Sequence, residues 1–312
     1  MARHIAHRLV ISLPVLLGVL LIGFLLLQVV PTDPATVSAG PSATKADIEA
    51  LRQEMGLDQP LYVQFGKYIV RVLQLDLGRS MISNRTVTEE IGGTLWPTVE
   101  LMLACLVWAA PLGVLLGTLA ARRRGTLVDR AIMAISVMGV SVPVFWVGLL
   151  LIQHIGGAGW LPFQGRDGPI WTLSGLKSII LPAVTLGAIF VGPVARMTRT
   201  SLLETLSADY VRTARAKGAS EWRVTLRHAL RNALIPVVTL IGLQIGFLLG
   251  GSVVTETMFA WPGVGRMAVG AITSSDFPLA QGSILILAIG FMVVNLLVDV
   301  LYAYLDPRIA HA

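Results

Sequence analysis

Six stretches of about 18 to 24 residues, Leu9–Val30, Leu101–Ala121, Ala131–Gln153, Ser178–Ala195, Asn232–Thr255 and Phe277–Val298, are almost free of charge. At about 1.5 Å rise per residue, roughly 20 residues cross the ~30 Å hydrocarbon layer of a bilayer. Lipid offers no water to a polar backbone, so each crossing segment pairs its N–H and C=O groups internally, as a helix. The expected fold class is an all-α integral membrane protein with six transmembrane helices, the fourth of them interrupted by Pro182 and Pro193. The 312 residues are 54% hydrophobic and only 13% charged, with a mean hydropathy of +0.75. That is more apolar surface than one soluble core buries.

Orientation follows from Arg and Lys in the connections. With the amino terminus inside, Met1–Arg8 holds 2, Arg122–Arg130 holds 4, Arg196–Arg231 holds 8 and Arg308 adds 1. The short outer connections hold 2 and 1, and the 6 in Pro31–Glu100 are discounted because long loops translocate largely regardless of charge. Both termini are therefore expected in the cytoplasm. The pI near 9.9 is accounted for by these loops, and no aromatic-rich RNA-binding signature accompanies it, so no nucleic-acid partner is expected. Cys105, the single cysteine, lies inside a tract and reads as a packing residue. The basic start MARHIAHR resembles a signal-peptide n-region, but the tract after it is long and lacks a small-x-small cleavage pattern, so it is expected to remain as the first membrane helix.

The expected organisation is residues 1–30 as amino terminus and first helix, 31–96 as an extracytoplasmic helical insertion, and 97–312 as a core with five membrane helices. Within the insertion, Thr44-x-x-Asp47 predicts a capping box, Gly56 a stop, and Asp58 with Pro60 the start of a helix carrying Leu61, Phe65, Tyr68, Ile69, Val72 and Leu73 at helical spacing. Thr86-x-x-Glu89 predicts a third short helix that turns at Trp96-Pro97. Such an insertion is either a docking lid for an external protein or a helix packed on the bundle or membrane surface.

Gly242, Gly246 and Gly250 repeat every four residues and make a smooth face for helix packing, as do Gly113 and Gly117. Glu256 and Asp299 close hydrophobic tracts, where a solvated or ion-paired end is expected in preference to a proton relay. Gln28, Gln153, His154, Gln244 and Asn295 are polar positions of which none is singled out. No phosphate-binding G-x-x-x-x-G-K-[ST], H-E-x-x-H or G-x-S-x-G occurs, and the five histidines, His4, His7, His154, His228 and His311, are scattered. The chain is expected to be no enzyme, with no catalytic residue, no metal site and no cofactor of its own.

The remaining feature is the cationic segment DYVRTARAKGASEWRVTLRHALRNALIP, Asp209–Pro236, where a short turn would suffice. Asp209 or Ser207 can cap a helix reaching Lys217, Gly218 can break it with positive φ, and Ser220 can cap a second helix with Trp222, Val224, Leu226 and Leu230. Arg and Lys around an apolar wedge suit an acidic-rimmed groove on a partner.

This segment resembles the EAA-type cytoplasmic loop of ABC importer permeases. Gly218 takes the motif's glycine place, Ala214 the second alanine and Leu230 the leucine. Arg212, Thr213, His228 and Arg231 depart from the general motif. RTARAKG followed by RHALRNALIP is instead similar to the dipeptide/oligopeptide/nickel branch. GLDQPLYVQFGKYIVRVLQLDLGRS (Gly56–Ser80), ETMFAWPGVGRMAVGAITSSDFPLAQG (Glu256–Gly282) and the closing LYAYLDPRI are similar to that branch's B-type subunit.

The resemblance implies a type I permease fold with a cytoplasmic coupling loop at about 199–231, in the cytoplasmic membrane of a prokaryote. It implies contact with an ATPase through Arg212, Ala214, Arg215, Lys217, Gly218, Ala219 and Trp222. The implied partners are a second homologous permease, two ATPase subunits (a homo- or heterodimer) that carry ATP and Mg, an extracytoplasmic substrate-binding protein, and the lipid bilayer. The implied cargo is di- or oligopeptide. Nickel or another small solute is the alternative within the family, and an ion-coupled transporter or channel the alternative outside it.

Overall fold

The computed structural model describes residues 2–29, 33–40 and 42–305, with side chains described over 10–25, 33–40 and 42–300. The side chains of His4, His7 and Gln28, and the closing residues with Arg308 and His311, lie outside these described parts. The helices are α1 (Ala2–Val29), α2 (Pro34–Ala39), α3 (Lys45–Glu54), α4 (Leu61–Leu73), α5 (Val87–Arg122), α6 (Leu127–Ser141), α7 (Val144–Leu151), α8 (Leu173–Leu206), α9 (Asp209–Ala216), α10 (Glu221–Arg223), α11 (Leu230–Met258), α12 (Val264–Thr273) and α13 (Phe277–Leu305). π-helical turns, Ile152–Gly156 and Val224–Ala229, extend α7 and join α10 to α11. Among the described residues, four helices are long and apolar enough to cross a membrane, α6 and α7 form a bent pair that makes a fifth, and α1 has an apolar stretch over Val10–Leu25. The protein is an all-helical, multi-pass membrane protein.

The chain divides into two compact units, one of Val99–Trp261 with Val294–Ala312, the other of Ala2–Thr98 with Pro262–Val293. In the first unit α8 is the central element and packs on α6, α7 and α11. Its core joins Leu101, Met102, Cys105 and Ala109 of α5 to Ile179, Ala183, Leu186, Phe190 and Val194 of α8, with Val237, Leu248 and Trp261. Two glycines of α5 allow this approach. A Cβ on Gly113 would stand 2.7 Å from the Val194 side chain, and one on Gly117 would collide with the Ala195 carbonyl oxygen. Small residues on facing helices are the usual means of close packing in a membrane, where apolar burial alone drives little association. Trp108 fills the next layer, its indole N–H donating to the Ala183 carbonyl at 3.0 Å over Gly187.

Proline placement overturned three expectations. Pro182 and Pro193 do not interrupt the fourth tract, which lies in an unbroken 34-residue α8. Trp96-Pro97 likewise makes no turn, because α5 runs through it for 36 residues. A proline ring presses on the carbonyl four residues back, here Gly93, and a membrane helix tolerates the loss when neighbours absorb it. Pro143, by contrast, splits the third tract. Val142 before it is extended (φ −84°, ψ 126°), as pre-proline sterics favour, and α6 and α7 meet at a 100° bend.

In the second unit Thr44 and Asp47 form the expected capping box. Asp47 Oδ2 accepts from the Thr44 amide at 2.9 Å and hydroxyl at 2.7 Å, bonds that hold its carboxyl below the usual range. α4 starts at Leu61 and not at Asp58; the Gln64 side-chain Nε2 donates back to the Leu57 and Gln59 carbonyls and holds that stretch as a turn. Tyr68 of α4 is buried with Leu20 and Phe24 of α1 and Leu285 of α13, its ring 6.2 Å from that of Phe24. The insertion thus packs on membrane helices through one face, while Leu61, Tyr62, Val70 and Leu73 stay exposed. Burial pushes the Tyr68 phenol up to about 12. Asp276, buried before α13, pins the loop after α4 by accepting from the Ser80 hydroxyl and, at 3.1 Å, from the Met81 amide.

Candidate coupling segment

The segment after α8 is built on a small apolar floor. Val211 and Ala214 of α9 are buried with Ala121, Leu202, Val224, Ala229 and Ala233, and Ala219 and Leu230 pack against them. Val211, Ala214 and the exposed Tyr210, Arg212 and Arg215 divide α9 into an inner and an outer face, the spacing expected of an amphipathic helix. Ala208, not Asp209 or Ser207, occupies the N-cap, and no side chain caps the helix there. Asp209 is the first helical residue, where its charge complements the helix dipole. Lys217 ends α9, and Gly218 follows at φ +78° with its amide on the Arg215 carbonyl at 2.9 Å. That left-handed conformation strains any residue with a Cβ.

After the elbow, Ser220 takes the N-cap position of α10 without a side-chain cap bond. The expected second helix is not a separate arm. It continues through the π-helical turn into α11, so 38 residues from Glu221 to Met258 form one rod despite Pro236. The elbow is therefore continuous with a membrane helix.

Arg215 closes the elbow. Its Nε and Nη2 donate to the two carboxylate oxygens of Glu221 at 2.8 and 3.3 Å, and its Nη1 to the Leu206 carbonyl at 3.4 Å. The Glu221 carboxylate holds the guanidinium charged even more firmly than usual. Arg212 is outward-facing, its side chain 73% exposed with a long 3.7 Å pairing to Asp209, and Lys217 is exposed beside it. Of the seven coupling candidates, Arg212, Arg215, Lys217, Gly218 and Trp222 are exposed, whereas Ala214 is buried and Ala219 partly so. The two alanines pack the segment onto its apolar floor. Trp222 lies under the Arg122 guanidinium, 4.5 Å from Cζ to the ring centroid.

Two ion pairs escaped the sequence reading. Arg199 grips the buried Asp129 at 2.6 and 2.8 Å, and Asp129 also accepts from the Gly125 amide at 2.9 Å, tying the start of α6 to α8. Arg166 grips the fully buried Glu100 at 2.8 and 2.9 Å. Their signal was a lone charge at a tract end, without its partner's position. Gly242 and Gly246 are buried in α11, while Gly250 is exposed, with nothing within 4 Å of where its Cβ would stand. Glu256 is fully enclosed, which removes the solvated reading, and Asp299 is partly exposed.

Residues 113–311 match the family described as binding-protein-dependent transport system inner membrane component, and residues 1–111 match the N-terminal part described for such membrane components. The chain is 46% identical over its full 312 residues to the glutathione transport system permease protein GsiC of Salmonella paratyphi A, covering 100% of both chains. It is equally 46% identical, over 100% of both, to the GsiC of Escherichia coli K12. A structure described as inward-facing conformations of the MetNI methionine ABC transporter shares the fold at a TM-score of 0.54 and 19% identity, covering 70% of this chain and 96% of that one. The chain thus belongs to the binding-protein-dependent transport system inner membrane component family, as an ABC importer permease of the dipeptide/oligopeptide/nickel branch with the type I fold.

Proposed function

We propose that this permease carries small peptides, glutathione first among them, into the cell, driven by ATP hydrolysis on partner ATPase subunits. Full-length 46% identity to glutathione-system permeases is the observation that supports the cargo. A second homologous permease completes the pathway, two ATPase subunits hold ATP and Mg, and an extracytoplasmic binding protein delivers the cargo. Both termini and the segment around 199–231 face the cytoplasm, in keeping with the distribution of Arg and Lys.

The coupling follows from the elbow's construction. An ATPase groove grips the exposed Arg212, Lys217 and Gly218 surface while Val211 and Ala214 lock α9 to its floor. ATPase closure moves the elbow, and the continuous Glu221–Met258 rod carries the motion into the membrane as a rigid-body tilt, so the pathway opens alternately to each side. The chain's residues transmit force and shape the path.

The test is ATP-dependent uptake by the complete transporter in vesicles, with labelled glutathione, dialanine and nickel each offered in turn. Saturable glutathione uptake that unlabelled dialanine competes weakly supports the reading. Nickel uptake alone assigns the chain to the metal importers, and uptake without ATP or its ATPase removes the coupling role.

A further inference from the structure

We propose that Arg122 and Trp222 form a binding site for the headgroup of an anionic phospholipid, in the leaflet on the side of the coupling segment. The site is distinct from the coupling surface, although it rests on the same reading of which side that segment occupies.

Depth is set by the sequence. Arg122 is the first charged residue after the apolar tract Leu101–Ala121 and stands in the last turn of α5, so its guanidinium emerges where hydrocarbon gives way to headgroups. Trp222 lies 4.5 Å away, which brings the indole to the same level. More than half of Trp222 is exposed. An indole with an apolar body and one N–H is suited to that boundary layer. On this reading Trp222, which the sequence places among the apolar residues of the coupling segment, lies at the membrane surface.

Charge selects the ligand. Arg123 and Arg124 follow Arg122 in the turn closed by the Thr126 amide on the Arg123 carbonyl, and Arg223 follows Trp222; all are exposed. Among the described residues no salt bridge holds Arg122, Arg123, Arg124 or Arg223. Glu221, within electrostatic reach of Arg122, is paired through both oxygens with Arg215, and Asp129, within reach of Arg124, is paired with Arg199. A cationic cluster with donors to spare is thus held at the height of the lipid phosphates. A guanidinium stacked on a ring keeps its N–H edge for two parallel bonds to phosphate, a geometry that lysine cannot offer. Anionic lipid adds to this the attraction of the leaflet's negative surface potential.

The experiment uses the assembled transporter, with all its partners, in nanodiscs of phosphatidylcholine containing equal amounts of brominated phosphatidylglycerol or brominated phosphatidylcholine. Tryptophan emission is read, and the Trp222 share is the difference between wild type and Trp222→Phe. Brominated phosphatidylglycerol should quench the wild type more than brominated phosphatidylcholine does. That excess should vanish in Trp222→Phe and fall at least twofold in Arg122→Gln, which keeps the indole, with co-purification of the partners showing that both variants assemble. Equal quenching by the two lipids, or an undiminished excess in Trp222→Phe, overturns the site. So does a Trp222 signal that ignores both lipids and shifts only when the ATPase is stripped away, which assigns the ring to a protein contact. Because emission is read in place of uptake, this result is independent of whether the cargo assignment holds.

Discussion

Arg215 and Glu221 face each other across the Gly218 turn and share a two-pronged ion pair at 2.8 and 3.3 Å. The charge that the sequence offers as a contact for the ATPase also shapes the elbow. An exposed pair of this kind contributes little to stability, because solvent screens it. Arg215→Glu should leave the melting temperature of the purified subunit almost unchanged and lower ATP-driven uptake several-fold. Reversing both charges, Arg215→Glu with Glu221→Arg, should restore most of the uptake. Failure of the double variant, with assembly intact, means that Arg215 touches the partner directly.

Gly218 sets the angle between α9 and the long rod. Its φ of +78° costs an ordinary L-residue about 1–2 kcal/mol, more with a branched Cβ, and asparagine less. Gly218→Val should therefore abolish most uptake while the subunit still inserts, and Gly218→Asn should retain a large part of it. Equal transport by both variants removes the elbow angle from the mechanism.

Asp129 is buried and Arg199 is only a quarter exposed, so deleting one partner strands the other. Breaking a pair that is only partly enclosed costs less than the roughly 3–5 kcal/mol of a fully buried one, and Asp129→Ala should still lower the thermal aggregation midpoint of the detergent-solubilised subunit measurably. Glu49→Ala, removing an exposed acid 3.7 Å from Arg52, serves as the control and should leave the midpoint where it was. Comparable midpoints for the two would contradict the packing described.

Glycine spacing alone does not say which glycines pack. A methyl on Gly117 meets the Ala195 carbonyl, while one on Gly250 meets nothing within the chain. Gly117→Ala should reduce folded yield sharply, and Gly250→Ala should be neutral for the isolated subunit, or slightly stabilising, since alanine gains up to about 1 kcal/mol over glycine in a helix. If Gly250→Ala leaves folding intact but weakens assembly with the second permease, that glycine lies in the subunit interface.

Much of this architecture was legible in the chain because it rests on local chemistry. The lipid-length tracts, the Thr44–Asp47 box and the positive φ at Gly218 each depend on residues within a few positions of one another. Proline was misread because its effect depends on its surroundings: Pro97 and Pro182 ride inside helices that neighbours support, and Pro143 breaks one. The pairs Glu100–Arg166 and Asp129–Arg199 span 66 and 70 residues, and only the packed helices bring them together. In the candidate site, which residues carry charge was evident from sequence. That Ala214 turns inward, that Arg215 is already partnered and that Trp222 lies beside Arg122 required the fold.

In the proposed mechanism an ATPase in the cytoplasm holds the exposed side of the elbow. Cys105 is buried, so a cysteine placed at Arg212 is the accessible thiol for labelling. The direct measurement is crosslinking of Arg212→Cys to the co-assembled ATPase subunit in membranes. A permease–ATPase adduct whose yield changes with ATP is expected, with no labelling of that cysteine in intact cells by a membrane-impermeant maleimide. Labelling from outside, with no adduct formed, would contradict the mechanism.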